Sequence, residues 1–329
     1  MHMADALTSP VVAGAAVIVS GTLFVIAAKK VRNSPQENIV PLMGVMGAFI
    51  FAAQMINFSI PGTGSSGHIV GGVLLSAILG PWAGFITLTS VLVIQCLIFA
   101  DGGLMALGCN IFNMAACTCL IAYPLLFKPL MKYPASMGRI IGVSILTCVV
   151  GLELGAIAVT LETEASGITA LPIAQFLWFM LPIHLVIGIG EGLATAAVLY
   201  FVQKYKPELL LQEQKPETAP APVRNFGKVI LAFAILALFF GISFSWMASS
   251  APDGLEWSIA NVTGSPELTE SSASTAYAIT RGIQKSTALM PDYDTSFAGI
   301  IGGILVVTVT LGITSLLRYK KKIAPKRHE

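Results

Sequence analysis

Apolar, almost uncharged runs of membrane-spanning length recur along this 329-residue chain, and no other feature restricts its fold as much. A hydrocarbon core of roughly 30 Å offers no water to backbone N–H and C=O groups, so each crossing has to satisfy them internally, as a helix. Only 11% of the residues are charged and 55% are hydrophobic, whereas soluble domains run near a quarter charged. The fold class is therefore an all-α polytopic membrane protein. Apolar runs read against Gly, Pro and charge breakers predict seven helices, near 11–28, 39–57, 69–80, 82–100, 105–127, 139–160 and 173–203. The third is short and stops at Gly80-Pro81, as a tilted or partly inserted helix would.

Charge is sorted along the chain. Lys29, Lys30 and Arg32 follow the first run; Lys128, Lys132 and Arg139 follow the fifth; Lys204, Lys206, Lys215, Arg224 and Lys228 surround the gap after the seventh; six more lie between Arg318 and Arg327. With those regions cytoplasmic, 17 of the 19 Lys and Arg lie inside, leaving Arg281 and Lys285 outside. The N-terminus is then outside and the C-terminus in the cytoplasm. Residues 204–227 are charged and Pro/Ala-rich, the composition of a solvated, extended linker. Beyond it, helices near 228–247 and 297–317 flank about fifty largely polar residues that carry Asp253, Glu256, Glu267, Glu270, Asp292 and Asp294. Three segments follow: a transmembrane domain over 1–203, a linker over 204–227, and a two-helix module over 228–329 with a large extracytoplasmic loop.

The five cysteines, Cys96, Cys109, Cys117, Cys119 and Cys148, fall mostly within apolar runs and read as small core residues rather than a disulfide framework. No cleaved signal peptide is expected, because the basic stretch that opens one is missing. No phosphate loop G-x-x-x-x-G-K-[ST] and no H-E-x-x-H occur, which argues against ATP hydrolysis through that machinery and against a zinc protease.

Two of the four histidines occupy unusual places on the predicted outer side. His2 is the second residue, and His68 ends the loop SIPGTGSSGH. A histidine at position 2 of a chain with a free amine offers three nitrogens from one point: the Met1 amine, its own amide, and its imidazole. The first two close a five-membered chelate ring and the last two a six-membered one. A fourth nitrogen from His68 completes a square, the arrangement suited to Ni(II) or Cu(II); Mg and Ca prefer oxygens, and Zn a tetrahedron. The plainer alternative is a frayed terminus and an ordinary loop histidine. Met1 and Met3 also offer sulfur, but methionines in such a chain mostly fill gaps.

The segments MHMADALTSP at 1–10, PGTGSSGHIVGG at 61–72, FADGGLMALGCNIFNM at 99–114 and HLVIGIGEGLATAAVLYF at 184–201 resemble the substrate-capture (S) component of the energy-coupling-factor nickel/cobalt transporters, the CbiM/NikM family. PDGLEWSIA at 252–260 resembles the small partner CbiN/NikN, here fused behind it. The resemblance implies a seven-helix S-component bundle in a prokaryotic plasma membrane, with Ni(II) or Co(II) as transported substrate. It implies metal ligands at Met1, His2 and His68. It further implies partners, namely a transmembrane coupling subunit and cytoplasmic ATPase subunits, and no enzymatic activity or nucleic-acid partner.

Other candidates keep two readings each. Asn110 and Asn113 either support the N-terminal segment and the His68 loop from a second layer or glue helices together. Asp101 either attracts cations or is a solvated acid, and Asp5 caps the first helix or neutralises the site. Glu153 and Glu191 are carboxylates within predicted spans; an internal hydrogen bond is favoured for Glu191, and a proton-coupled carrier relaying through both is the alternative function. His184 is read as packing. The Gly14-Ala15-Ala16 stretch and the set Gly188, Gly190 and Gly192 are small-residue faces suited to a coupling subunit or to internal packing.

Overall fold

The computed structural model describes residues 1–34, 39–169, 171–214, 226–243, 249, 251–266, 268, 275–293 and 298–323. After a 3-10 turn at Asp5–Leu7 come α1 (Pro10–Asn33), α2 (Ile39–Gln54), a two-stranded hairpin β1 (Phe58–Ile60) and β2 (Ser65–Gly67), α3 (Gly72–Leu79) and α4 (Pro81–Phe99). Next are α5 (Leu107–Leu130), wound as a π-helix over Ile111–Phe127, α6 (Met137–Ser166), α7 (Ile173–Tyr205) and α8 (Pro207–Gln214). The C-terminal part supplies α9 (Phe226–Ser243), α10 (Gly254–Thr263), α11 (Thr275–Thr287) and α12 (Ala298–Ile323). Six of these helices are long and apolar enough to cross a membrane: α1, α4, α5, α6, α7 and α12.

The seven predicted helices of the first part are present as α1 to α7, with one qualification of length. α3 has eight residues, about 12 Å at the helical rise, and cannot cross alone. It turns back on α4 at Gly80, where Gly84 sits so close that a Cβ there would lie 3.0 Å from the Ser76 backbone nitrogen. The hairpin before α3 makes up the missing length by folding into the bundle, with Ile60, Ser65 and Ser66 all buried.

Two expectations are corrected. Residues 204–227 are not extended throughout: α7 runs to Tyr205 and α8 follows at once, because Leu209 and Leu210 find apolar surface to bury in. The polar stretch between the last two helices is not a plain loop, since it holds α10 and α11. Residues 215–225, the tail beyond 323, and Glu267, Glu270 and Asp294 lie outside the described residues, as do the side chains of Asp292 and of residues from 317 onward.

α6 and α7 pack along their length with little between their backbones. A Cβ at Gly188 would lie 2.8 Å from the Val149 Cα, and one at Gly192 2.4 Å from the Ile145 Cα. Gly190 faces the Phe58 ring, so this glycine set serves internal packing, while around Gly14 there is open space. α12 lies against α2, where Gly47 meets Val306 and Gly302 meets Phe51. All five cysteines are free and buried, as expected of core residues.

Candidate metal centre

The N-terminal segment is threaded into the bundle as if it were core. Met1, Met3 and Leu7 are buried, and Met3 is held at both ends of its peptide unit. Its N–H donates to Asn110 Oδ1 (2.7 Å), and its carbonyl accepts from Asn110 Nδ2 (3.1 Å) and the Gly103 N–H (2.8 Å). Close approach here requires glycine. Gly102 has φ +77°, with the His2 Cβ 3.2 Å from where its own Cβ would stand, and a Cβ at Gly103 would collide with Asp5. Asp5 does not cap α1. Its carboxylate accepts from the Ala106 N–H (3.0 Å), and Ser9 caps α1 instead, accepting from the Val12 N–H.

This threading brings Met1, His2 and His68 together. The Met1 ammonium donates to His68 Nε2 (3.4 Å) and is paired with the Asp253 carboxylate. The His2 and His68 rings are stacked, centroids 5.4 Å apart at 22°. His2 Nδ1 faces Asp101 Oδ1 (3.1 Å), and its Nε2 faces Gln95 Oε1 (3.3 Å). His68 Nδ1 bonds the carbonyl of Ile69 (3.1 Å). Among the described residues no group of three or more His, Cys, Asp or Glu is spaced to hold a metal. The nitrogens gathered here come in part from the main chain.

Burial dominates the electrostatics. It lowers the His68 imidazole to about 4, helped by the N-terminal charge and by His2. It also lowers His2, with Asp101 working against it. For Asp253 burial pushes upward, but the Met1 ammonium, the hydrogen bond to it and His68 win, and the carboxyl is held well below its usual range. The His68 imidazole is thereby kept neutral beside an ammonium–carboxylate pair.

The remaining candidates take distinct places. Asn110 grips the Met3 backbone, whereas Asn113 reaches the Met3 sulfur (3.5 Å) and Glu162 (2.6 Å) and touches neither histidine. Asp101 also accepts from the Tyr293 hydroxyl (2.7 Å). Glu191 accepts from the N–H groups of Val70 (2.8 Å) and Gly71 (2.9 Å), the internal bonding favoured for it, and so pins the segment that follows His68. Glu153 has one oxygen without a hydrogen-bond partner among the described residues. His184 bonds the Met180 carbonyl (2.8 Å) and packs beside Gly254.

Three contributors were not singled out from the sequence: Gln54, Gln95 and the role of Asp253 at the amine. Two amides inside apolar runs were the available signal for the first pair. Asp253 was visible only as one acid of the polar stretch and as part of PDGLE. It caps α10 in a capping box, accepting from Leu255 and Glu256 N–H groups while Glu256 accepts from its own, and its second oxygen turns to Met1. α10 docks on the His68 hairpin: Ser66 N–H donates to the Pro252 carbonyl (2.8 Å) and Trp257 Nε1 to the Thr63 carbonyl (2.8 Å). Above His2 opens a cavity of about 730 Å³, lined by Asp101, Asp253, Glu256 and Arg281 among others.

The fold and the site define a multi-pass membrane protein that buries its own amine against two imidazoles, with a C-terminal segment folded over them. Residues 2–209 match the CbiM family, the cobalt uptake substrate-specific transmembrane region, and residues 227–319 match the PDGLE domain. The chain belongs to the CbiM family and carries the PDGLE domain fused behind it. A putative fused nickel transport protein NikMN of Archaeoglobus fulgidus is 30% identical over 97% of this chain and 99% of its own. A probable fused nickel transport protein LarMN of Lactiplantibacillus plantarum is 31% identical over 64% of this chain and 67% of its own. A solved transition metal transporter, 31% identical, covers 65% of this chain and 98% of its own with a TM-score of 0.54.

Proposed function

We propose that this chain is the metal-capturing S component of an energy-coupling-factor importer for Ni(II) or Co(II). The observation that carries the proposal is the Met1 amine standing 3.4 Å from His68 Nε2 with the His2 ring stacked on that of His68. Met1 N, the His2 amide nitrogen, His2 Nδ1 and His68 Nε2 are the four donors. The ion is cargo, and loading it means replacing Asp253 at the amine and Asp101 at Nδ1. Asp101 holds the donor nitrogen of His2 until the ion displaces it, while Asn110 acts from behind, on the segment that carries His2; Asn113 steadies the same segment through the Met3 sulfur. Relatives named as nickel and cobalt transport proteins support the choice of metals.

The functional division is a metal-binding domain over 1–203, a cytoplasmic linker over 204–227 and an accessory domain over 228–329. The N-terminus faces out and the C-terminus in, in a prokaryotic plasma membrane. Energy comes from separate partners, a transmembrane coupling subunit and cytoplasmic ATPases, with the open Gly14 face of α1 as a seat for the former. A proton-coupled carrier using Glu153 and Glu191 is the weaker reading, because both oxygens of Glu191 are occupied by backbone N–H groups.

One added residue before Met1 tests the site. It displaces the amine and converts it to an amide, so calorimetric titration of the extended chain is expected to show Ni(II) binding abolished while the fold is retained. Undiminished affinity in that variant removes the proposal.

A further inference from the structure

The hydrogen bonds behind His2 have a direction, and a main-chain carbonyl sets it. The Val70 carbonyl can only accept, so Gln54 turns its NH2 toward it (2.8 Å). Gln54 Oε1 then accepts from Gln95 Nε2 (2.8 Å), which turns Gln95 Oε1 to His2 Nε2 (3.3 Å). An amide oxygen has no proton to give, so Nε2 must bring it. Both glutamines are buried, 5% and 1% exposed, at the end of α2 and inside α4. Reversing either amide would set two donors or two acceptors against each other at buried positions.

With the proton held on Nε2, Nδ1 is left as the nitrogen that can exchange, and it is the one that closes a six-membered ring with the His2 amide nitrogen. It faces Asp101 at 3.1 Å. The same logic holds at His68, whose Nδ1 bonds the Ile69 carbonyl and leaves Nε2 toward Met1. The anchor of the relay also matters, since Val70 lies two residues after His68 on the segment that Glu191 clamps. The ring state of one histidine is therefore tied to the position of the loop that carries the other.

We propose that Gln54 and Gln95 are positioning residues that hold a proton on Nε2 of His2 and so present Nδ1 to the metal, in register with the His68 loop. The metal part of this rests on the site proposed above; the ring assignment does not. The test uses the full chain in lipid nanodiscs with 15N-labelled histidine, the ring signals being assigned with His68→Ala, His184→Gln and His328→Gln. In the metal-free protein the His2 Nε2 is expected to be protonated. Gln95→Leu should lose that signature and weaken Ni(II) binding by about 10- to 100-fold, the range for a partner behind a metal ligand. Gln95→Glu, which keeps an acceptor for Nε2–H, should restore the signature.

A wild-type His2 with bare Nε2 and its single proton on Nδ1 overturns the proposal whether or not any variant folds. So does a Gln95→Leu chain whose His68 and His184 signals are native and whose His2 signals are unchanged. A wild-type chain with the expected His2 signature that binds no Ni(II) instead overturns the metal site, so the two failures are told apart.

Discussion

The donors proposed for the metal differ in what each must lose before it can bind. His68 loses nothing: burial and the neighbouring positive charge keep its imidazole neutral down to about pH 4. An unperturbed imidazole at pH 6 would give up roughly three quarters of a proton on binding. The Met1 amine, paired with Asp253, and the His2 amide must each shed one. Affinity should therefore fall as pH falls, through the amine and the amide. His68→Ala should weaken binding without changing the protons released at pH 6, measured by calorimetry in buffers of different ionisation heat. A drop of most of one proton in that variant would show His68 charged in the unloaded chain.

At the scale of elements, α10 decides how the hairpin bearing His68 sits. Its first residue is glycine because its start is pressed between Ile187 and His184: a Cβ at Gly254 would lie 2.9 Å from Ile187 Cδ1 and 3.2 Å from His184 Cε1. Trp257 adds a bond to the Thr63 carbonyl and an edge contact with Phe179. Gly254→Ala should push α10 off this seat at a cost of about 1–3 kcal/mol, the range for overpacking. Because Asp253 moves with α10, the variant should also release the Met1 amine. Hydrogen exchange over residues 58–67, compared with the parent chain, is expected to rise; unchanged exchange would mean that the hairpin holds itself.

On the scale of the whole molecule, the C-terminal segment and the first seven helices line one chamber with the proposed site at its floor. α11 closes a side of it, with Gln284 donating to the Cys96 and Gly102 carbonyls and Thr280 reaching Asp5. If the proposed orientation is correct, Ser265, exposed after α10, faces the outside. A membrane-impermeant thiol reagent applied to intact cells should then label Ser265→Cys, and label Lys132→Cys only after permeabilisation. The native cysteines are buried and give little background. Labelling in the opposite order would invert the topology and put the site on the wrong side for uptake.

Hydropathy alone determined the membrane class, the places of α1 to α7 and of the apolar helices α9 and α12, and the buried state of the cysteines, because bilayer crossing is a local demand that each helix meets by itself. The meeting of Met1, His2 and His68 was legible too, but His68 entered through the resemblance of its loop motif, since covalent geometry ties together only the nitrogens of Met1 and His2. Tertiary structure decided the rest. α8 formed where an extended linker was expected, because Leu209 and Leu210 found a surface that composition cannot reveal. Asp5 was drawn to the Ala106 N–H and not to α1. Gln54, Gln95 and Asp253 lie 41 and 158 residues apart in sequence order and meet around the first two residues only when α2, α4 and α10 converge there. Hydrogen bonds between such distant groups follow from packing, and packing is not written in any one segment.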